Sequence, residues 1–350
     1  MPELISSIDK LPPCLRDSVR PEERAFVQGL EAAGRLPFAV SPHYASLARP
    51  DAEDPIRRQF FPDPRESLSE TGPFALPDPL GEERYRVSPR LIHQYPDRVL
   101  LLAGGACAGY CRHCFRRVRM SGGMSFIAED ELGPVLSYLG VHPEIRELLV
   151  SGGDPLTAPD EELESLFAQV RRHNRALALR VCTRVPVTDP RRLDAGLIEL
   201  CRRYRPLRFS VHINHPRELS PPTRLALEAL AGAGIPVLVQ TVLLKGVNDS
   251  AATLSSLFRE CRGLGLLPYY LFQLDLAPGA AHFRVALRRG LALYRELQKA
   301  PAGAEPPVYA VDLPGGGGKI PLSEEKIAGE RGDALLLKAP DGSLWAYPAG

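Results

Sequence analysis

The hydrophobic pattern changes character about a quarter of the way along the chain. Up to residue 90, apolar residues stand singly among prolines and charges, with one short helical pattern at residues 22–33 and no alternating strand pattern. From Arg98 onward, short apolar runs alternate with amphipathic stretches. Short apolar runs bounded by turn residues predict buried strands. They fall at residues 99–102, 147–150, 177–182, 207–211, 236–242 and 269–274, with a seventh at 307–311. Between them, apolar positions three and four apart predict helices at residues 130–139, 161–172, 192–204, 223–233, 253–264 and 285–297. Repeated strand–helix units imply right-handed crossovers and a parallel sheet. Six or seven units suit a partial or complete β/α barrel, with an open doubly wound sheet as the alternative. The expected organisation is a helical extension at 1–90, a β/α core at 91–300 and a C-terminal segment at 301–350. That last segment ends in a hairpin at 333–347, where Pro340-Asp341-Gly342 separates two apolar runs.

Composition narrows the class of protein. The 350 residues carry 43 Lys and Arg against 42 Asp and Glu, and 44% are hydrophobic. That is enough for a real core. The balance gives no electrostatic case for nucleic acid. No stretch approaches the roughly 20 apolar residues of a membrane span, and the start Met-Pro-Glu-Leu-Ile lacks the pattern of a signal peptide. A cytoplasmic protein is expected. Of the seven cysteines, Cys14, Cys182, Cys201 and Cys261 are scattered and expected to pack as small apolar residues. The other three share one loop.

Those three, Cys107, Cys111 and Cys114, carry the chemistry. Three thiolates on a short loop can hold three irons of a 4Fe–4S cluster and leave the fourth iron open to a substrate or cofactor. Zinc is the competing reading, but zinc sites usually take four ligands, often in paired Cys-x2-Cys units, and no second pair lies nearby. The C-x3-C-x2-C spacing resembles the radical S-adenosylmethionine (SAM) enzymes. There the open iron chelates the amino and carboxylate groups of SAM, and electron transfer yields methionine and a 5′-deoxyadenosyl radical. Polar residues gather at or just after the carboxyl ends of the predicted strands: Arg184, His212, Asn214, Asp275 and Asp312. Barrel active sites lie at that face. Ser151-Gly152-Gly153-Asp154 follows the second strand and reads either as contact with the amino group and methionine part of SAM or as an ordinary strand-end turn. Four glycines, Gly315 to Gly318, precede Lys319. They are not a Walker A motif, since Ile320 stands where Ser or Thr would bind magnesium. They read as a phosphate cradle, as the setting of an imine-forming lysine, or as a plain flexible loop.

A wider resemblance joins these features. The motifs are Tyr95-Pro96-Asp97-Arg98-Val99-Leu100, Cys111-Arg112-His113-Cys114-Phe115-Arg116-Arg117 and Ser151-Gly152-Gly153-Asp154. They continue with His212-Ile213-Asn214-His215-Pro216, Gly246-Val247-Asn248-Asp249, Pro268-Tyr269-Tyr270, His282-Phe283-Arg284 and Asp312-Leu313-Pro314 before the glycines and Lys319. Together, over about residues 50–347, they resemble the lysine 2,3-aminomutase family, which uses SAM and pyridoxal phosphate (PLP). The resemblance implies a partial (β/α)6-type barrel of the radical SAM class. It makes Lys319 the PLP-binding lysine, Arg116 the clamp for the substrate carboxylate, and Asp275 with Asp312 the pair that receives the side-chain ammonium of L-lysine. It has His212, Asn214 and Gln240 position SAM and brings Arg98 to the PLP phosphate.

The implied activity moves the α-amino group of L-lysine to the β-carbon, with an electron donor such as flavodoxin or ferredoxin as partner. The alternatives are the same chemistry on a lysine of elongation factor P, or on another amino acid. Like charges argue against glutamate. Two departures matter. In clostridial-type members a zinc-ligating cysteine directly follows Gly-Val-Asn-Asp, where this chain has Ser250, and the other zinc cysteines lie in a tail beyond Gly350. No structural zinc is expected, and whether a homo-oligomer forms without it stays open. The shorter elongation factor P relative also lacks the tail, but it does not keep the four-glycine loop or the second aspartate, which this chain keeps.

Overall fold

Ten strands follow one another across a single sheet in strict chain order. They are β1 (Arg86–Ser88), β2 (Leu91–Tyr95), β3 (Arg98–Gly104), β4 (Glu147–Gly152), β5 (Ala178–Thr183), β6 (Leu207–His212), β7 (Val237–Val242), β8 (Leu267–Phe272), β9 (Val308–Leu313) and β10 (Gly318–Pro321). The computed structural model describes residues 3–69, 71–118, 123–299 and 305–350. Neighbours from β3 to β9 pair in parallel, while β1–β2–β3 and β9–β10 are antiparallel. A doubly wound sheet reverses its strand order at a switch point. This order never reverses, so the sheet winds in one direction as a barrel does, and β1 and β10 remain edges that leave it open.

Each parallel strand fills a position where the sequence has a short apolar run, because strands covered on both faces need no alternation. The outer layer is helical: Glu129–Val141, Asp160–His173, Ala195–Arg203, Pro221–Gly232, Ala251–Gly263 and Leu287–Gln298. In Asp160–His173 the buried side chains Leu163, Leu166, Phe167 and Val170 recur at helical spacing. Its first turn is acidic and its last basic, which suits the helix dipole. The helix expected from residue 192 starts at Ala195, because the Asp194 carboxylate accepts from the Leu197 amide and caps it there. Among the described residues no helix is long and apolar enough to cross a membrane.

The sheet reaches past the ends expected of it. β1 lies inside the expected helical extension, and β2 and β10 form where the pattern predicts no strand. The boundary expected at 300/301 falls outside the described residues. The C-terminal hairpin is present as β12 (Ala334–Lys338) and β13 (Leu344–Pro348), extended by β11 (Ile327–Arg331) into a three-stranded sheet.

The N-terminal segment holds the cysteine loop in place. Val40 bridges Ile5 on one side and Gly109 on the other. The Tyr110 amide donates to Ala39 O and the Arg112 amide to Gln59 O. Beneath them Glu66, fully buried, accepts from Arg112 Nε and Nη2 and also from Arg117. Arg112 Nη1 reaches the carbonyls of Leu36 and Pro37. Burial alone would raise the Glu66 pKa, yet the two guanidiniums hold it below the ordinary carboxylate value. Replacing Glu66 with Gln leaves two buried cations without their anion, so the unfolding free energy of the apo-protein should fall by about 3–5 kcal/mol. Denaturant unfolding measures this, and an unchanged midpoint and slope would contradict the assignment.

Candidate active site

The three thiols stand on the loop after β3. Cys114 N donates to Cys111 O in a tight turn. Burial pushes the Cys107 thiol well above its ordinary pKa, and the nearby Asp154, Cys114 and Cys111 add to it, so the three sulfurs share one neighbourhood. Among the described residues no three His, Cys, Asp or Glu side chains converge tightly enough for a single metal ion. Three thiols on one loop supply the donor set of a polynuclear cluster, whose irons each need one thiolate.

The end of β4 lies directly against this loop. A Cβ on Gly152, which has φ of 110°, would stand 2.4 Å from Gly104 O, and one on Gly153 would stand 2.3 Å from Ala106 O. No larger residue fits either position. Asp154 has a different task from the expected ligand contact. One carboxylate oxygen accepts from Leu156 N and Thr183 Oγ1, the other from Arg184 N and Val185 N. Both oxygens are thus engaged in tying the end of β4 to the end of β5. Ser151 Oγ lies 3.2 Å from Arg116 Nη1.

His212 and Gln240 are register partners on β6 and β7 and so share a face of the sheet. His212 Nε2 is 2.9 Å from Asn214 Oδ1, and burial drives the imidazole pKa down to about 4, so the ring is neutral at neutral pH. Asn214 is buried and largely engaged: its side-chain amide meets Gln59 Oε1 and His113 Nε2, and its oxygen accepts from Val242 N.

Lys319 stands on a hairpin and not on a loose loop. It is the register partner of Asp312 across β9 and β10, and Gly315 to Gly317 form the intervening turn. That turn is packed on several sides. A Cβ on Gly81 would lie 2.5 Å from Gly315 C, and one on Gly317 would lie 2.7 Å from the Trp345 ring. Gly316 O accepts from Tyr85 Oη at 2.7 Å, and Gly315 N donates to Pro79 O. Of the readings open for the glycine run, the plain loose loop is the one this packing speaks against: Gly81 and Trp345 close on the turn that carries the lysine.

The Lys319 ammonium pairs with Asp312 and lies 3.9 Å from the Phe272 ring centroid and 5.4 Å from that of Tyr270. Its backbone amide donates to Tyr95 Oη. Arg98 lies over the Tyr95 ring and pairs with Asp97. It starts β3, so it approaches this group from the opposite end of the strand to the cysteine loop. Asp275, just past β8, has its pKa pushed up to about 8 by burial first and by Asp312 second, with Lys319 and Arg116 opposing. Arg116 does not present a bare guanidinium. Its Nε and Nη2 engage Glu82. Glu82 is 5% exposed and was not anticipated, since it stands alone in a segment without periodicity. Two cations, Arg116 and Lys319, thus face three carboxylates, Glu82, Asp275 and Asp312.

Known proteins share this arrangement of motifs. A profile of the Radical SAM superfamily matches residues 101–256. A Treponema pallidum protein provisionally named L-lysine 2,3-aminomutase is 43% identical over 91% of this chain and 91% of its own length. An Aquifex aeolicus protein with the same provisional name is 39% identical over 93% of this chain and 88% of its own. A Clostridioides difficile glutamate 2,3-aminomutase is 32% identical over 92% and 76%. With similarity running through almost its whole length, the chain belongs to the lysine 2,3-aminomutase family of the radical SAM superfamily, isomerases that work with a 4Fe–4S cluster and SAM.

Proposed function

We propose that this aminomutase acts on L-lysine, using PLP held at Lys319 and a cluster ligated by Cys107, Cys111 and Cys114. The observation that carries the choice of substrate is the pairing of Lys319 with Asp312. A lysine side chain already sits with its ammonium on one of the two aspartates, beside Asp275. The pair therefore accommodates the group that an incoming lysine would bring. A substrate with a side-chain carboxylate would meet Asp275, Asp312 and Glu82 instead, and like charges repel.

The bound groups supply the hard chemistry, a hydrogen-abstracting radical from the cluster and SAM and a carbonyl carrier for the migrating nitrogen from PLP. The chain supplies placement. Arg116, fixed by Glu82 and Ser151, offers a planar donor to the α-carboxylate. Asp275 and Asp312 hold the distal ammonium. Tyr95 and the packed glycine turn fix the backbone of Lys319. The faces of Phe272 and Tyr270 exclude water beside its amine. Arg98, near Tyr95 and Tyr270, offers a cation to the PLP phosphate. His212 and Gln240, on one face beside the end of β6, are positioned to contact SAM.

An anaerobic assay of reconstituted protein with SAM, PLP and a reductant should convert L-lysine to β-lysine and leave L-glutamate unchanged, by mass-resolved product analysis. Turnover of glutamate alone would overturn the choice of substrate. Cys111→Ala should remove the brown chromophore and the iron with it. Borohydride reduction of PLP-loaded protein should fix the cofactor to the peptide bearing Lys319, and labelling of another lysine would refute that role. Asp275 must lose its proton to pair with an ammonium, and its raised pKa means that binding releases a proton below about pH 8. Lysine affinity should therefore rise up to about tenfold per pH unit toward pH 8 and level off above it. Asp275→Asn should flatten that profile and weaken binding by roughly 3–5 kcal/mol, as read by calorimetry. A slope that survives in the variant assigns the proton elsewhere.

A further inference from the structure

Arg184 is buried just after β5 and lacks the two-point carboxylate pairing that several other arginines of this protein make. Arg57 with Glu23, Arg112 with Glu66, and Arg180 with Glu147 each engage both carboxylate oxygens through two nitrogens. That is the arrangement of a structural ion pair. Arg184 divides its donors instead. Nη2 serves Glu218 Oε1, Tyr44 Oη and Gln59 Oε1. Nη1 lies 2.7 Å from Cys111 Sγ. Nε is buried without a partner among the described residues.

The guanidinium is held rigidly. Its backbone amide is fixed by Asp154, and its plane lies 5.1 Å from the Tyr44 ring centroid. Glu218 is in turn fixed by Tyr44 and by the amides of Asn214 and His215. The result is a fixed cation on one sulfur and a fixed anion directly behind it, both buried away from water.

We infer that Arg184 and Glu218 form an electrostatic couple that sets the reduction potential of the cluster through the sulfur of Cys111. This rests on the reading of Cys111 as a cluster ligand. Reduction adds one electron, so the reduced cluster is more negative than the oxidised one. A cation donating to a ligand sulfur favours the reduced form and raises the potential. The Glu218 carboxylate behind it offsets part of that effect, and low solvent access keeps both contributions large. The couple balances two demands, since a higher potential eases reduction by the donor and a lower one strengthens the electron passed to SAM. Neither residue touches SAM or substrate in this account, so both are positioning residues.

The two members predict shifts of opposite sign. The experiment is an EPR-monitored redox titration of the reconstituted protein without SAM, on wild type, Arg184→Gln and Glu218→Gln. Arg184→Gln should move the midpoint to more negative potential, and Glu218→Gln should move it to more positive potential. Arg184→Lys should fall between wild type and Arg184→Gln, because it keeps the charge but loses the divided geometry. Iron content and the reduced-cluster EPR signal are read first. If wild type binds no 4Fe–4S cluster, the ligand reading fails. If the clusters form and all midpoints coincide, or both neutral variants shift in the same direction, the electrostatic couple is overturned while the ligand reading stands. Should Arg184→Gln fail to fold, Glu218→Gln alone decides, since a zero or negative shift there contradicts the couple.

Discussion

Glu66 has no contact with water, and it is flanked in sequence by neither arginine that it binds. Burying a carboxylate is costly unless charged donors satisfy it, and here two guanidiniums do so. Arg112 and Arg117 lie on either side of Cys114, so the same carboxylate that neutralises them fixes both flanks of that cysteine. The loop between Gly104 and Arg117 has little regular structure of its own. Its shape comes from the ion triad below and from the backbone bonds to residues 39, 40 and 59. A site for a rigid inorganic group needs donors that do not wander, and an irregular loop supplies them only when something outside it is rigid.

The second half of the site uses close backbone approach in place of buried charge. Gly81 meets the glycine turn from one side, while Trp345 closes it from the other. Tyr85, Gln94 and Tyr95 bond to the same hairpin. Lys319 is thereby given a fixed base and a long side chain, which suits an amine that exchanges places with a substrate amine. Here Arg116 pairs with Glu82 and Lys319 with Asp312, which leaves Asp275 as the third carboxyl of the group. Burial first, and Asp312 second, raise the pKa of that carboxyl.

Most strands and helices of the core were legible because they depend on local apolar periodicity, whereas β2 has no predicted counterpart and is fixed by antiparallel pairing with β3. The cysteine triad stands out in the sequence because its three thiols lie within eight residues. β10 was not legible, since Gly-Lys-Ile-Pro has no apolar run and becomes a strand only by pairing with β9. The packing of the glycine turn was not legible, because the approach of Gly81 and Trp345 to it leaves no trace in a local pattern. Asp154 shows a further limit: a carboxylate after two glycines reads alike whether it meets a ligand or receives four protein donors, and here it receives four. The ion pairs of Glu66 and Glu82 carry no local signal, because their arginine partners are 34 to 51 residues away.

The bonds that support the cysteine loop run mainly to earlier parts of the chain, residues 36 to 66. Those that support Lys319 join residues 79 to 95 to residues 315 to 319 and to Trp345 near the end. Chains emerge from the ribosome N-terminus first, and contacts distant in sequence form late. The cradle for the cysteines has its partners in hand while the lysine hairpin is still unsynthesised. On the growing chain the partners at residues 36 to 66 precede the cysteine loop, whereas the glycine turn is closed only once Trp345 has followed it.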